Sequence, residues 1–144
     1  MPRASVPAEG DIQRYRARLS GPLLDRIDLH VTLSPVPLRA LGATPGAESS
    51  TAVRARVESA RGRQRIRFRG TTLSCNAGAS GRTLLAQLEP AARELLDSAA
   101  ESLSLSARAY HRVVKVARTI ADLPGVDAVE RPQVAEALRY RPAR

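Results

Sequence analysis

Two short stretches concentrate charge in a way that could do chemistry, and both use arginine. In Leu23-Leu24-Asp25-Arg26-Ile27-Asp28 a guanidinium stands among carboxylates at the end of a short helical turn, just before Leu29, Val31 and Leu33 alternate as a strand would. Such a junction can present a charged side chain at a domain edge. An arginine between two aspartates can equally be a surface ion pair that contributes little. In LSARAYHRVVKVARTIAD, residues 105–122, Ser106 is a good N-cap and Arg108 falls in the first helical turn, where the positive end of the helix dipole disfavours a cation. A local rule broken in this way points to a use for the side chain. With Arg112 one turn on and Lys115 on the same side, Arg108 would form a concentrated positive site suited to a phosphate. The competing reading is the solvated face of an amphipathic helix.

A third basic stretch, residues 54–69, carries seven arginines against one acid, Glu58. On a helix, Arg54, Arg61 and Arg65 flank one side of an apolar stripe of Val53, Val57 and Ala60. Arg56, Arg63 and Arg67 flank the other, and Phe68 continues the stripe if the helix passes Gly62. Arg54, Arg61, Arg63, Arg65 and Arg67 are therefore candidates for contact with a DNA backbone, with a solvated helix face as the alternative. No aromatic residues are interleaved, as a stacking platform for single strands would require. His30 and His111 have no triad or metal partners at recognisable spacing and read as structural. Cys75 is the only cysteine, so no intrachain disulfide and no Cys/His zinc site is available, and it reads as an inert thiol in a reduced compartment.

The elements that must position these residues are helices. A chain of 144 residues allows one domain, or a small domain with a piece of another. With no Trp, one Phe and three Tyr, the core has to be aliphatic, which suits packed helices. The net charge of +9 comes from 23 basic and 14 acidic residues, and such a balance attracts polyanions. All basic residues except Lys115 are arginine, a bias that a GC-rich genome also produces. Residues 1–10 read as a flexible leader and 11–19 as helical. Pro22 is placed to open a turn after Ser20-Gly21. Three prolines and two glycines in 34–50 mark a linker and a domain boundary. Beyond it, Ser50 or Thr51 can cap a helix, and 70–81 reads as a loop. A helix follows Pro90 with Ala92, Leu95, Leu96, Ala99 and Leu103 inside. The next runs from Ser106 to Leu123, burying Tyr110, Val113, Val114, Ala117, Ile120 and Ala121, and stops at Pro124-Gly125. A last helix from Pro132 buries Val134, Ala135 and Leu138. The first residues lack the apolar run of a signal peptide and no stretch is long enough to span a bilayer, which points to the cytoplasm and no membrane partner.

Residues 15–31, YRARLSGPLLDRIDLHV, resemble the stretch that carries the arginine finger in magnesium-chelatase-like AAA+ ATPases, and the wording LSGPLLDRIDLHV is most similar to the competence protein M branch. Ser-x-Arg at 106–108 resembles the sensor 2 motif of the same class. The resemblance implies a mainly α fold: a helical bundle of the magnesium-chelatase C-terminal lid type at 51–144, preceded by a short helix-strand remnant of the AAA+ core at 11–33. It implies Arg26 as a finger acting in trans on a neighbouring subunit, and Arg108, with Arg112, as nucleotide-binding residues of its own subunit. It also implies ATP and magnesium as cofactors of the complete protein, the remaining AAA+ core or a neighbouring subunit as partner, a ring homo-oligomer when complete, and a DNA motor for branch migration in recombination and natural transformation. No GxxxxGK[ST] loop and no strand ending in paired acids is present, so the chain is expected to hydrolyse no ATP alone and to hold no metal or cofactor by itself. Two alternatives stand beside this reading: a stand-alone basic helical module that binds DNA, and the lid of a true magnesium-chelatase subunit.

Overall fold

Serine hydroxyls open the two longest helices. In the computed structural model, which describes residues 10, 14, 26–36 and 48–141, Ser49 accepts from the Ala52 N–H at 3.2 Å at the head of α1, Ser50–Arg67. Ser106 does the same for Ala109 at the head of α4, Ala107–Asp122. Each hydroxyl satisfies a backbone donor that the first turn leaves open. Proline opens α3, Pro90–Ser102, and lies in the first turn of α5, Arg131–Arg139. Its missing N–H is not needed there. The segment 70–81, read from sequence as a loop, contains a 3-10 turn at Asn76–Gly78 and leads directly into a short helix, α2, Gly81–Leu85.

Helix α4 is the centre of the bundle, packing against α1, α2, α5 and the 3-10 turn, while α3 packs on α5. The core is aliphatic, as the composition requires: Leu84, Ala92, Leu96, Val114, Ala117, Ala121, Val129 and Val134 are all fully buried, with Phe68 as the one buried aromatic among the described residues. A parallel bridge between Leu88 and Val129 ties the α2–α3 connection to the α4–α5 connection, closed by Glu89 N–H to Val129 O at 2.9 Å and Val129 N–H to Gln87 O at 2.8 Å. Gly125 ends the turn after α4 at φ +84°, and a Cβ there would fall 2.5 Å from the Arg63 guanidinium. Both its backbone angle and that close approach favour glycine.

Several expectations are refined. Val53 and Val57 are 37% and 45% exposed, because the first half of α1 extends beyond the bundle; Ala60, Gln64 and Phe68 form the buried part of that stripe. Leu103 is half exposed, and Ala137 rather than Ala135 is buried on α5. No strand is formed among the described residues. Leu29, Val31 and Leu33 alternate without a neighbouring strand to pair with, and are at least half exposed. The expected leader at 1–10 and helix at 11–19 lie outside the described residues apart from Gly10 and Arg14, as does 37–47 of the expected linker. Among the described residues no helix is long and apolar enough to cross a membrane.

A buried polar cluster locks α1 to α4. Asp122, fully buried, accepts from Arg67 at 2.5 and 2.9 Å, from Asn76 at 2.8 Å and from Gln64 at 3.3 Å. Arg118, also fully buried, lies 3.1 Å from the same carboxylate and donates to the Val126 and Asp127 carbonyls at 2.5 and 2.6 Å. Burial pushes the Asp122 carboxyl up, but the Arg67 and Asn76 hydrogen bonds and the Arg118 charge outweigh it and hold the group below its ordinary value. A depressed carboxyl contributes stability above its unfolded value of 3.8 and loses it as pH falls through the lower folded value. Two outcomes are expected in urea unfolding. Asp122→Ala, which leaves Arg118 buried without its carboxylate, should lose about 3–5 kcal/mol. Asp122→Asn should flatten the fall in stability that the parent shows below the ordinary carboxylate range.

Candidate anion-binding site

The head of α4, the 77–82 segment and the turn at Arg26 enclose an open concavity of about 730 Å³. Arg108, Arg112 and Lys115 recur at helical spacing and line one wall. Ala79, Ser80, Gly81 and Arg82 line the second, and Arg26 and Asp28 the third. Gly81 is what allows α2 to start so close to α4, since a Cβ there would collide with His111 at Nδ1. That nitrogen is itself buried without a hydrogen-bond partner.

The cations of the concavity fall into two kinds. Lys115 Nζ donates to the Ala77 carbonyl at 2.7 Å, and Arg112 pairs with Asp28 at 2.7 Å while donating to the Ile27 carbonyl at 3.1 Å. Arg26, Arg82 and Arg108 have no hydrogen-bond or ion-pair partner among the described residues. Of the two aspartates that the sequence offers to Arg26, Asp28 is engaged by Arg112 instead, and Asp25 lies outside the described residues. Among the described lining residues Asp28 is also the one carboxylate, against five cationic side chains. The arrangement can receive a phosphate-bearing anion, whose charge would supply what Arg26, Arg82 and Arg108 lack.

The arginines of α1 do not line this concavity. Arg54 and Arg65 are exposed without partners among the described residues, and Arg61 donates to Gln64 Oε1 at 3.0 Å. Arg63 lies 3.4 Å from Asp127. Arg67 is unavailable to a polyanion, because its guanidinium is spent on buried Asp122 and on Asn76 Oδ1 at 2.9 Å. Among the described residues no group of three His, Cys, Asp or Glu side chains could hold a metal ion. Cys75 is half-buried and its thiol is lowered, chiefly by a backbone hydrogen bond from Gly78.

Sequence reasoning missed Arg82 and the Ser80-Gly81 wall. The signal was Ser80 at the N-cap position followed by the apolar pair Leu84-Leu85, an element of a single helical turn whose N-cap side chain makes no capping bond.

The chain is a helical bundle with cations at the head of its central helix, and its match to known families is direct. Residues 47–141 match the family described as magnesium chelatase, subunit ChlI C-terminal, and residues 2–41 match magnesium chelatase, subunit ChlI. The chain belongs to the magnesium-chelatase C-terminal family. It is 40% identical to Competence protein ComM of Haemophilus influenzae over 90% of the chain and 25% of that protein. It is 39% identical to the uncharacterized protein YifB of Escherichia coli over 89% of the chain and 25% of that protein. An uncharacterized protein of Mycobacterium tuberculosis is 36% identical over 97% of the chain and 28% of its own length. The chain thus spans about a quarter of the length of these relatives.

The close approach at Gly81 sets a test of how tightly the concavity is built. Gly81→Ala should force the His111 ring aside and cost about 1–3 kcal/mol of stability, as overpacking does. Urea unfolding and the displacement of the His111 ring resonances would measure it.

Proposed function

We propose that this chain is the lid portion of a cytoplasmic ring ATPase acting on DNA, in which Arg26 and Arg108 stabilise the charge that develops on ATP during hydrolysis. Residues 11–33 are then the end of the ATPase core, 34–50 the linker and 51–144 the lid. The observation that supports this reading is the concavity that Arg26 and Arg108 line together, neither paired with a carboxylate among the described residues. ATP fits such a site through its phosphates. Magnesium has no carboxylate cluster among the described residues, so its ligands and the phosphate loop belong to the remaining core.

The resemblance alone assigned Arg26 to a neighbour's nucleotide and Arg108 to its own. Their sharing of one concavity supports instead a single nucleotide served by both, which makes both act across the subunit boundary. Mixing experiments on the complete ATPase separate the two arrangements. Arg26→Ala and Arg108→Ala subunits should each lose hydrolysis, by about 10³-fold for the finger. Each should regain activity when mixed with subunits that lack the metal carboxylates, because an intact nucleotide site then faces intact arginines. If Arg108→Ala subunits stay inactive in that mixture while Arg26→Ala subunits recover, Arg108 serves its own subunit. A change of less than about twofold in both single variants would remove the finger and sensor roles, measured against the factor a finger supplies.

The DNA assignment rests on the exposed flank of α1, where Arg54, Arg61 and Arg65 share a side and the first turns are unburied. Replacing these three by Ser should weaken DNA binding about equally for unrelated sequences. It should also reduce the salt dependence of binding by up to about 0.9 for each phosphate no longer neutralised. The stand-alone module predicts DNA binding with no dependence on an ATPase partner. A magnesium-chelatase lid predicts ATPase activity that DNA leaves unchanged.

A further inference from the structure

The sequence groups Arg112 with Arg108 as a ligand for the nucleotide, yet the two side chains are used differently. Arg108 has no partner among the described residues. Arg112 Nε reaches Asp28 Oδ1 at 2.7 Å and Nη1 donates to the Ile27 carbonyl at 3.1 Å, so the guanidinium grips two consecutive residues of the segment that follows Arg26. Its side chain is 16% exposed while that of Asp28 is 57% exposed, so the arginine is largely buried and holds its partner from the interior side of the pair. Two residues on, the His30 N–H donates to the Tyr140 carbonyl at 2.8 Å and anchors the same segment to the end of α5. The turn at Arg26 lies just outside these two anchors, and α4 carries Arg112 one turn beyond Arg108.

Resting on the reading of the concavity as an anion site, we propose that Arg112 is a positioning residue: with Asp28 it clamps the 27–28 segment to α4 and thereby holds the Arg26 guanidinium opposite Arg108. A planar fork that binds a carboxylate and a carbonyl together fixes direction as well as distance, which a point charge would not do. Arg26 and Arg108 then belong to one rigid unit and move together with the lid, so that both meet the phosphates in a single event.

The sign of one substitution distinguishes a clamp from a ligand. Asp28→Asn removes a negative charge from the rim of the concavity and weakens the hold on Arg112 to a neutral hydrogen bond, leaving every cation in place. Were Arg112 a direct phosphate ligand, inorganic tripolyphosphate would bind this chain more tightly in the variant. The clamp requires the opposite: calorimetry at low salt should show at least about fivefold weaker binding, the lower end of ordinary coupling between sites. Asp28→Glu should restore most of it. Because the clamp acts through Arg26, Asp28→Asn should add no further loss to Arg26→Ala, whereas independent roles would add. Tighter or unchanged binding in Asp28→Asn, or additive losses, would overturn the proposal. A ligand-free measurement stands beside these. The backbone amide order parameter of Arg26 should fall from about 0.85 in the parent to below about 0.6 in Asp28→Asn. If the parent binds no tripolyphosphate, the anion-site reading fails by itself, and an unchanged order parameter at Arg26 would then sink the clamp as well.

Discussion

Asp122 ends α4 with none of its surface exposed, and donors from three different elements converge on its carboxylate: Gln64 and Arg67 from α1, Asn76 from the 3-10 turn and Arg118 from α4 itself. A buried carboxylate tolerates that position only if its lone pairs are met, and here they are met several times over. The consequence reaches the concavity. Asn76 also donates to Thr119 Oγ1 at 3.0 Å, and the next residue, Ala77, offers its carbonyl to Lys115. The turn that forms one wall of the anion site is thus stitched to α4 by the same cluster that fastens α1. Loss of the carboxylate would release a helix and a wall together.

That cluster also separates the arginines by what they do. Arg67 and Arg118 are interior residues, fixed by Asp122 and by the Val126 and Asp127 carbonyls. Arg56 with Glu48 and Arg93 with Asp97 are ordinary surface pairs, about half exposed, of the kind that contributes little. Arg26, Arg82 and Arg108 face one concavity without partners among the described residues. Net charge alone places all of these in one class. Position divides them into interior residues, surface pairs and unpaired lining residues, and the last group adds to the positive potential of the concavity.

Much of the helical framework was legible in the sequence, for identifiable reasons. Ser106 and Pro124-Gly125 bracket α4 almost to the residue because a cap and a breaker act locally. Periodicity named the inner face of α1 but not how far its neighbours extend, so Val53 and Val57 continue a stripe that the bundle does not cover. Helix α2 escaped because a single turn offers too few residues for a period to show. Arg67 could not be recognised as interior, since its partner lies on another helix far along the chain and charge in a sequence does not reveal its depth. Arg108 stood out as a cation in the first turn of a helix, while Arg26 was singled out chiefly by the family resemblance. That they share a concavity was not, because the shared wall is made by the fold and by the hold of Arg112 on residues 27–28.

Helix α4 breaks the same electrostatic rule at both ends. A cation, Arg108, lies in its first turn, where the dipole is positive, and an anion, Asp122, is its last residue, where the dipole is negative. At the C-terminal end the conflict is resolved inside the fold by Arg67, Arg118, Asn76 and Gln64. At the N-terminal end no carboxylate among the described residues pairs with Arg108, and Asp28, the one acid among the described residues that line that concavity, is committed to Arg112. The two ends therefore differ in where compensation comes from: one carries its counter-charges with it, and at the other none comes from the described residues. A helix built this way is anchored by buried charge at one terminus and presents a cation without a partner among the described residues at the other, so the same rigid element that fixes α1 also fixes where Arg108 stands.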